Sequence, residues 1–313
     1  MDISNNILKI KEKENENENE KTSSKIKHIV ISGGGATGFA FYGILRESNK
    51  ANLWNIADIK TIFCTSIGSV LAVFLCLKFE WDILDNYLIQ RPWQKIFNFD
   101  IYSVLRVFDK RGIFSISVFE QIFQPLFLAA DISMDITLKE FYEITKIELH
   151  IFVTEINNFE IIDASYITHP EWKLIQTVYA SSTIPIVFEP WCCDKKLFID
   201  GGFLLNNPMN YCIRNGAKPE EIMGLNKTHN LINHYITEES SFFDYLMLLI
   251  NRILDKILNY EKIEQIEHEI NIIGAPINIQ DILYTASSIE ERERLIKVGV
   301  DSFKIFYEKR NNI

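Results

Sequence analysis

No two of the five cysteines (Cys64, Cys76, Cys192, Cys193, Cys212) stand in a CxxC spacing, their number is odd, and one pair is adjacent. That makes a poor disulfide framework and points to a reducing, intracellular setting. His, Cys, Asp and Glu show no metal-ligand spacing, and neither a metal nor a cofactor is expected. Basic residues are in the minority, with 32 Lys and Arg against 42 Asp and Glu, for a net charge of -10. Residues 1–27 hold six acids and six lysines, so the negative excess belongs to the rest of the chain. Nucleic acid is thereby excluded as a partner, because neutralising phosphates needs a surplus of Lys and Arg on one face. Electrostatic docking on anionic lipid is disfavoured too, which leaves apolar insertion as the way to meet a membrane. No apolar run is long enough to span a bilayer. The longest, Ile62 to Leu77, contains Thr65, Ser66, Gly68 and Ser69 and reads as core. From Asp2 onward the N-terminus is polar, without the apolar stretch of a secretory signal. A cytoplasmic protein with at most transient, peripheral membrane contact is expected, its oligomeric state left open.

What the chain does have is apolar residues, 47% over 313 positions, enough for a large core. The exception is "KEKENENENEK" (11–21), which cannot bury enough to offset its ordering entropy and reads as a disordered tail. From His28 on, short apolar runs alternate with helical stretches: "HIVIS" (28–32), "IKTIFCT" (59–65), "LHIFVTEI" (149–156), "EIIDAS" (160–165) and "KLFID" (196–200). Strands separated by helices predict a mainly parallel sheet covered by helices on both faces. Helices are expected over 38–50 and 67–79, from Pro170, and from Pro208 to about Gly216. Beyond about residue 238 the pattern is helical, at 242–258 and 288–309. The apolar face of 242–258 is expected to turn inward rather than insert into a membrane.

Three segments carry chemistry. Gly33-Gly34-Gly35-Ala36-Thr37-Gly38 follows a strand and opens a helix, matching GxGxxG. A dinucleotide site would also need an acid at the end of the next strand, which instead ends in Cys64, Thr65 and Ser66. What remains is a set of N–H groups at a helix N-terminus, suited to a phosphate or an oxyanion. Cys64-Thr65-Ser66-Ile67-Gly68 matches the strand-turn-helix elbow GxSxG except at its first glycine. Alone, with one of the motif's fixed glycines missing, Ser66 reads sooner as an N-cap for the following helix. Asp200-Gly201-Gly202 ends a strand, and alone reads as a turn. Together the three supply a hydroxyl, a carboxylate to take its proton, and donors for a tetrahedral oxyanion, the minimal parts for acyl transfer.

With those residues in view, the chain resembles the patatin-like phospholipases, serine lipid acyl hydrolases with a Ser-Asp dyad. The resemblance runs from about Lys27 to Ala217 through "GGGATG", "CTSIG", "ASSTIPIVFEP" (180–190) and "DGGFLLNNP" (200–208), in the family's order. It implies a three-layer α/β/α sandwich, with a catalytic domain over 28–225, a tail over 1–27, and a helical extension over 226–313 packed on the same domain. It implies Ser66 as nucleophile, Asp200 as general base, Gly34, Gly35 and Ala36 lining the oxyanion hole, and Gly33, Gly38, Gly68, Gly201 and Gly202 supporting the motifs. The substrate implied is a phospholipid, lysophospholipid or acylglycerol. Acyl transfer to an alcohol on the same dyad, or lipid binding without turnover, are the alternatives. Two positions depart from the family pattern. Thr37 stands where the family usually has Arg or Lys, which leaves either a lower activity or another basic residue in its place. Cys64 stands at the elbow's first glycine, where a side chain threatens to crowd the turn. The mechanism so implied uses no histidine; His28, His150, His169, His229, His234 and His268 read as ordinary residues rather than as the third member of a triad.

Overall fold

The computed structural model describes residues 25–98, 107–229, 235–258, 264–274 and 278–311. Most of the expected tail, 1–24, lies outside them, as does His234. Residues 25–27 already belong to the fold: Ile26 is buried, and the Lys27 N–H donates to the Glu221 carbonyl at 2.8 Å.

The strands are β1 (His28–Ile31), β2 (Thr61–Thr65), β3 (Gly112–Phe114), β4 (Glu148–Glu155), β5 (Glu160–Ala164), β6 (Ile186–Phe188), β7 (Trp191–Cys193), β8 (Lys196–Asp200), β9 (Ile222–His229) and β10 (His268–Gly274). Eight form one sheet in the order β10-β9-β1-β2-β4-β8-β7, with β5 on β4; β3 and β6 pair separately. From β10 to β4 every pairing is parallel, while β5, β8 and β7 join antiparallel. The helices are α1 (Gly38–Lys50), α2 (Ile67–Cys76), α3 (Trp81–Gln90), α4 (Ser117–Ala129), α5 (Leu138–Thr145), α6 (Leu174–Ser181), α7 (Met209–Arg214), α8 (Phe242–Leu258), α9 (Ile279–Ser287) and α10 (Ile289–Asn311).

Strand alternation builds the layers. Ile29 and Ile31 of β1, with Ile62 and Cys64 of β2, face the main core with α1 and α2. Val30 and Phe63, one residue out of phase, face a second core with Met209 and Cys212 of α7. Helices therefore cover both faces of a mostly parallel sheet, the expected three-layer sandwich.

Differences fall where the local signal is weak. The stretch expected to be purely helical after about residue 238 contains β10, and β9 runs through the boundary placed at 225. In β10 only alternate residues, His268, Ile270 and Ile272, are buried, and its outward Glu269 and Asn271 make the segment look like loop. The helix expected from Pro170 begins at Leu174. Lys173 is held extended by a bridge to Thr137, and the Trp172 carbonyl accepts the Leu138 N–H at 2.9 Å. On α8, Met247 packs inward as expected, but Phe242, Tyr245, Leu249 and Ile253 are exposed.

Candidate active site

Register explains how positions 66 and 200 meet. Over residues 151–155, β4 gives one edge to β5, so β2 and β8 share its other edge. Thr65 of β2 lies opposite Phe152, and Asp200 of β8 lies opposite Val153, the next residue. β2 and β8 thus run head to head along one edge of β4, and the chain leaving β2 emerges beside Asp200. The antiparallel entry of β8, rather than a shared parallel direction, brings the two carboxyl ends together.

At the junction Ser66 has φ 56°, ψ -128°, a backbone conformation costly for a residue with a side chain. Its hydroxyl does not cap α2. It donates instead to Asp200 Oδ2 at 2.5 Å. Three bonds hold the turn: the Ser66 N–H donates to Ser181 Oγ at 2.9 Å, while the Ser69 N–H and Oγ both donate to the Ser66 carbonyl, at 2.8 and 2.6 Å. A Cβ on Gly68 would sit 2.4 Å from the Ile31 carbonyl oxygen, so glycine here lets α2 start against β1. Cys64 does not crowd the turn; its side chain faces the main core, and its thiol donates to the His150 carbonyl.

Asp200 is 4% exposed. Its Oδ1 accepts the Gly202 N–H at 2.7 Å, and its backbone is tied to Thr183 and Thr154. Burial pushes its carboxyl from 3.8 up to about 7, opposed by the hydrogen bonds from Ser66 and Gly202. A Cβ on Gly201 would meet the Phe152 carbonyl oxygen at 2.2 Å, so this turn also needs a missing side chain.

The glycine loop lies against the same junction. Its Gly33 N–H donates to the Asn206 carbonyl at 3.1 Å, and a Cβ on Gly33 would fall 3.2 Å from Ser66 Cβ. Gly35–Thr37 forms a 3-10 turn leading into α1 at Gly38, itself packed on Ile67. Gly35 and Ala36 open that turn, so their N–H groups have no acceptor within it. Together with Ser66 they line an apolar slot of about 150 Å³, walled by Phe39, Leu71, Phe74, Phe119, Ile184 and Phe188. On the same slot Ser182 buries a hydroxyl that has no protein partner among the described residues.

None of the four histidines whose side chains are described is hydrogen-bonded to Ser66 or Asp200. His28 bonds Thr61, His150 sits between Asp163 and Asn215, His169 bonds Thr168, and His268 bonds Arg310. Among the described residues no group of acidic, histidine or cysteine side chains could hold a metal, and no helix is long and apolar enough to cross a membrane. Sequence reasoning missed Ser181, Asn206 and Lys227. Ser181 and Asn206 lie within the blocks 180–190 and 200–208 that carry the resemblance, yet a serine or asparagine there gives no sign of its partner.

The chain matches known proteins throughout this region. It is 24% identical over 294 residues to the uncharacterized protein R571 of Acanthamoeba polyphaga mimivirus, covering 90% of this chain and 94% of that one. It is 25% identical over 233 residues to the probable lipid hydrolase 463L of Invertebrate iridescent virus 6, covering 72% and 78%. Its fold is similar to that of VipD from Legionella pneumophila, with a TM-score of 0.54 at 16% identity over 91% of this chain and 67% of that one. Residues 29–213, which contain the glycine loop, the elbow and the Asp-Gly-Gly turn, match the patatin-like phospholipase family, and the chain belongs to that family.

Proposed function

We propose that this protein is a lipid acyl hydrolase that cleaves carboxylic esters through Ser66 and Asp200. The observation that carries this reading is the bond from Ser66 Oγ to Asp200 Oδ2, at 2.5 Å, on a strained turn facing an apolar slot. As Ser66 Oγ attacks the ester carbonyl, Asp200 takes its proton. The N–H groups of Gly35 and Ala36 receive the oxyanion. Collapse breaks the ester C–O bond, and the departing alcohol takes the proton from Asp200. Water then attacks the acyl-serine, again giving its proton to Asp200; collapse breaks the bond from the acyl carbon to Ser66 Oγ, which takes that proton back, and the fatty acid leaves. Each CH₂ of an acyl chain buried in the slot contributes about 0.8 kcal/mol, so the slot favours a lipid chain over a short ester. The likeness to a protein described as a probable lipid hydrolase supports the same substrate class.

A fluorophosphonate probe followed by peptide mapping tests the nucleophile. Stoichiometric labelling on Ser66 and none in Ser66→Ala is expected; equal labelling of the variant would sink the proposal.

The pH dependence follows from Asp200. Only its carboxylate accepts a proton, so hydrolysis rises with pH through about 7. In kcat/KM against pH, a rising limb midpoint near 4, the ordinary aspartate range, would contradict the buried base.

A further inference from the structure

Behind the glycine loop lies a second cavity of about 320 Å³, lined by Gly34, Thr37, Asn278, Asp281 and Lys227 and not by Ser66. Lys227 comes from β9, two residues beyond the pairing of Leu225 with Ile31, and only 5% of it is exposed. Its ammonium donates to the Gly34 carbonyl at 3.2 Å and forms no ion pair among the described residues. Its backbone N–H is fixed by Ser32 Oγ at 3.1 Å. A Cβ on Gly274, in the neighbouring strand, would fall 2.5 Å from Lys227 Cε, so β10 leaves room for the lysine stem. A buried ammonium is costly, and this one is aimed at a single peptide.

That peptide joins the two cavities. Gly34 lines the rear one and Gly35 lines the slot holding Ser66. The bond between them is trans, so its C=O and N–H point in opposite directions. A carbonyl drawn back toward Lys227 turns the Gly35 N–H forward. We infer that Lys227 is a positioning residue of the hydrolase: its ammonium fixes the Gly34–Gly35 peptide from behind, aims the Gly35 N–H at the oxyanion, and places a positive charge one peptide away from it. This rests on the hydrolase reading above, and it gives Thr37, which carries no charge, a basic stand-in from another strand.

Burial lowers the Lys227 ammonium from 10.5 to about 8, with the Asp281 carboxylate of α9 opposing the shift. The other titratable groups on the rear cavity are Tyr284 of α9 and Glu291 and Arg294 of α10, the last two closed on each other at 2.7 Å. Since the protonated form acts, activity declines as pH rises past about 8.

The test compares wild type, Lys227→Met and Lys227→Arg on p-nitrophenyl hexanoate from pH 6 to 9.5, with amide exchange of the loop followed in parallel. Lys227→Met is expected to lose roughly 10- to 100-fold in kcat, with KM changed less than about two-fold and no alkaline decline. Lys227→Arg recovers most of the loss and moves the decline upward. Exchange at Thr37, whose N–H shares the Gly34 carbonyl, speeds up in Lys227→Met alone. Wild-type kcat and unchanged Thr37 exchange in Lys227→Met would overturn the inference. If that variant fails to fold, a wild-type profile flat from pH 7.5 to 9.5 overturns it as well. Exchange that responds while wild type shows no Ser66-dependent turnover would overturn the hydrolase reading and leave the positioning role standing.

Discussion

Asp200→Asn is expected to lose about 10⁴-fold in kcat/KM and, at pH 8, to melt above wild type. The loss follows from chemistry. Asparagine keeps the shape, accepts the Gly202 N–H through its oxygen and donates to Ser66 Oγ, but it cannot take the serine proton. The gain follows from linkage. Folding raises this carboxyl from 3.8 to about 7, so the native state holds its proton more tightly than the unfolded chain does. An acid shifted upward costs nothing below the unfolded value, costs progressively more as pH climbs between the two, and costs the full amount above about 7. At 1.36 kcal/mol per unit the full cost is on the order of 4 kcal/mol, an upper figure because Asn also leaves water for the same site. Thermal melts should show the variant's advantage at pH 8 shrinking toward pH 4. A variant less stable than wild type at pH 8 would contradict the buried, desolvated carboxylate. A variant retaining a tenth of the activity would show that another group takes the proton.

The same carboxylate shows why some of the molecule is legible in its sequence and some is not. Motifs that depend on a missing side chain write themselves into the chain: Gly68 against the Ile31 carbonyl and Gly201 against the Phe152 carbonyl stand where no other residue fits. Strands buried on both faces, β1 and β2, leave unbroken apolar runs and are readable to within two residues. β4, β5 and β8 are readable as closely, whereas β9 and β10 are not. β9 turns polar at Asn226, which bonds Asn271 of β10, and at Lys227, which serves the glycine loop rather than the core. Spacing cannot show that β8 enters antiparallel and meets β2 head to head, since that arrangement depends on the partner edge of β4. Nor can it show that Ser66 gives its hydroxyl to Asp200 instead of capping α2, which needs the turn's φ of 56°. The residues that do the supporting, Ser181, Asn206 and Lys227, are legible only through distances.

Gly299→Ala should destabilise the fold, against its local preference. Within a helix, alanine is favoured over glycine by about 1 kcal/mol, so on an exposed face of α10 the change would stabilise. Here a Cβ would fall 1.9 Å from the Ala40 carbonyl oxygen of α1, and backbone cannot rotate away as a side chain can. The helices must separate, loosening Ile296 and Phe303 from the main core, at a cost of about 3 kcal/mol that leaves roughly 2 net. For a chain of this size that is a fall of roughly 3 °C in Tm. Gly43, on α1, makes the reciprocal approach, its Cβ 2.2 Å from the Ile296 carbonyl oxygen. Because both substitutions force the same separation, Gly43→Ala combined with Gly299→Ala should cost clearly less than the sum of the two. Full additivity would mean two independent contacts, and a rise in Tm for Gly299→Ala would mean that the helices do not cross this closely. The crossing also reaches the active site, since α1 begins at Gly38, where the glycine loop ends, and α10 lines the cavity behind that loop. Activity in the single variants should therefore fall at temperatures well below their melting points, with Ser66 and Asp200 untouched.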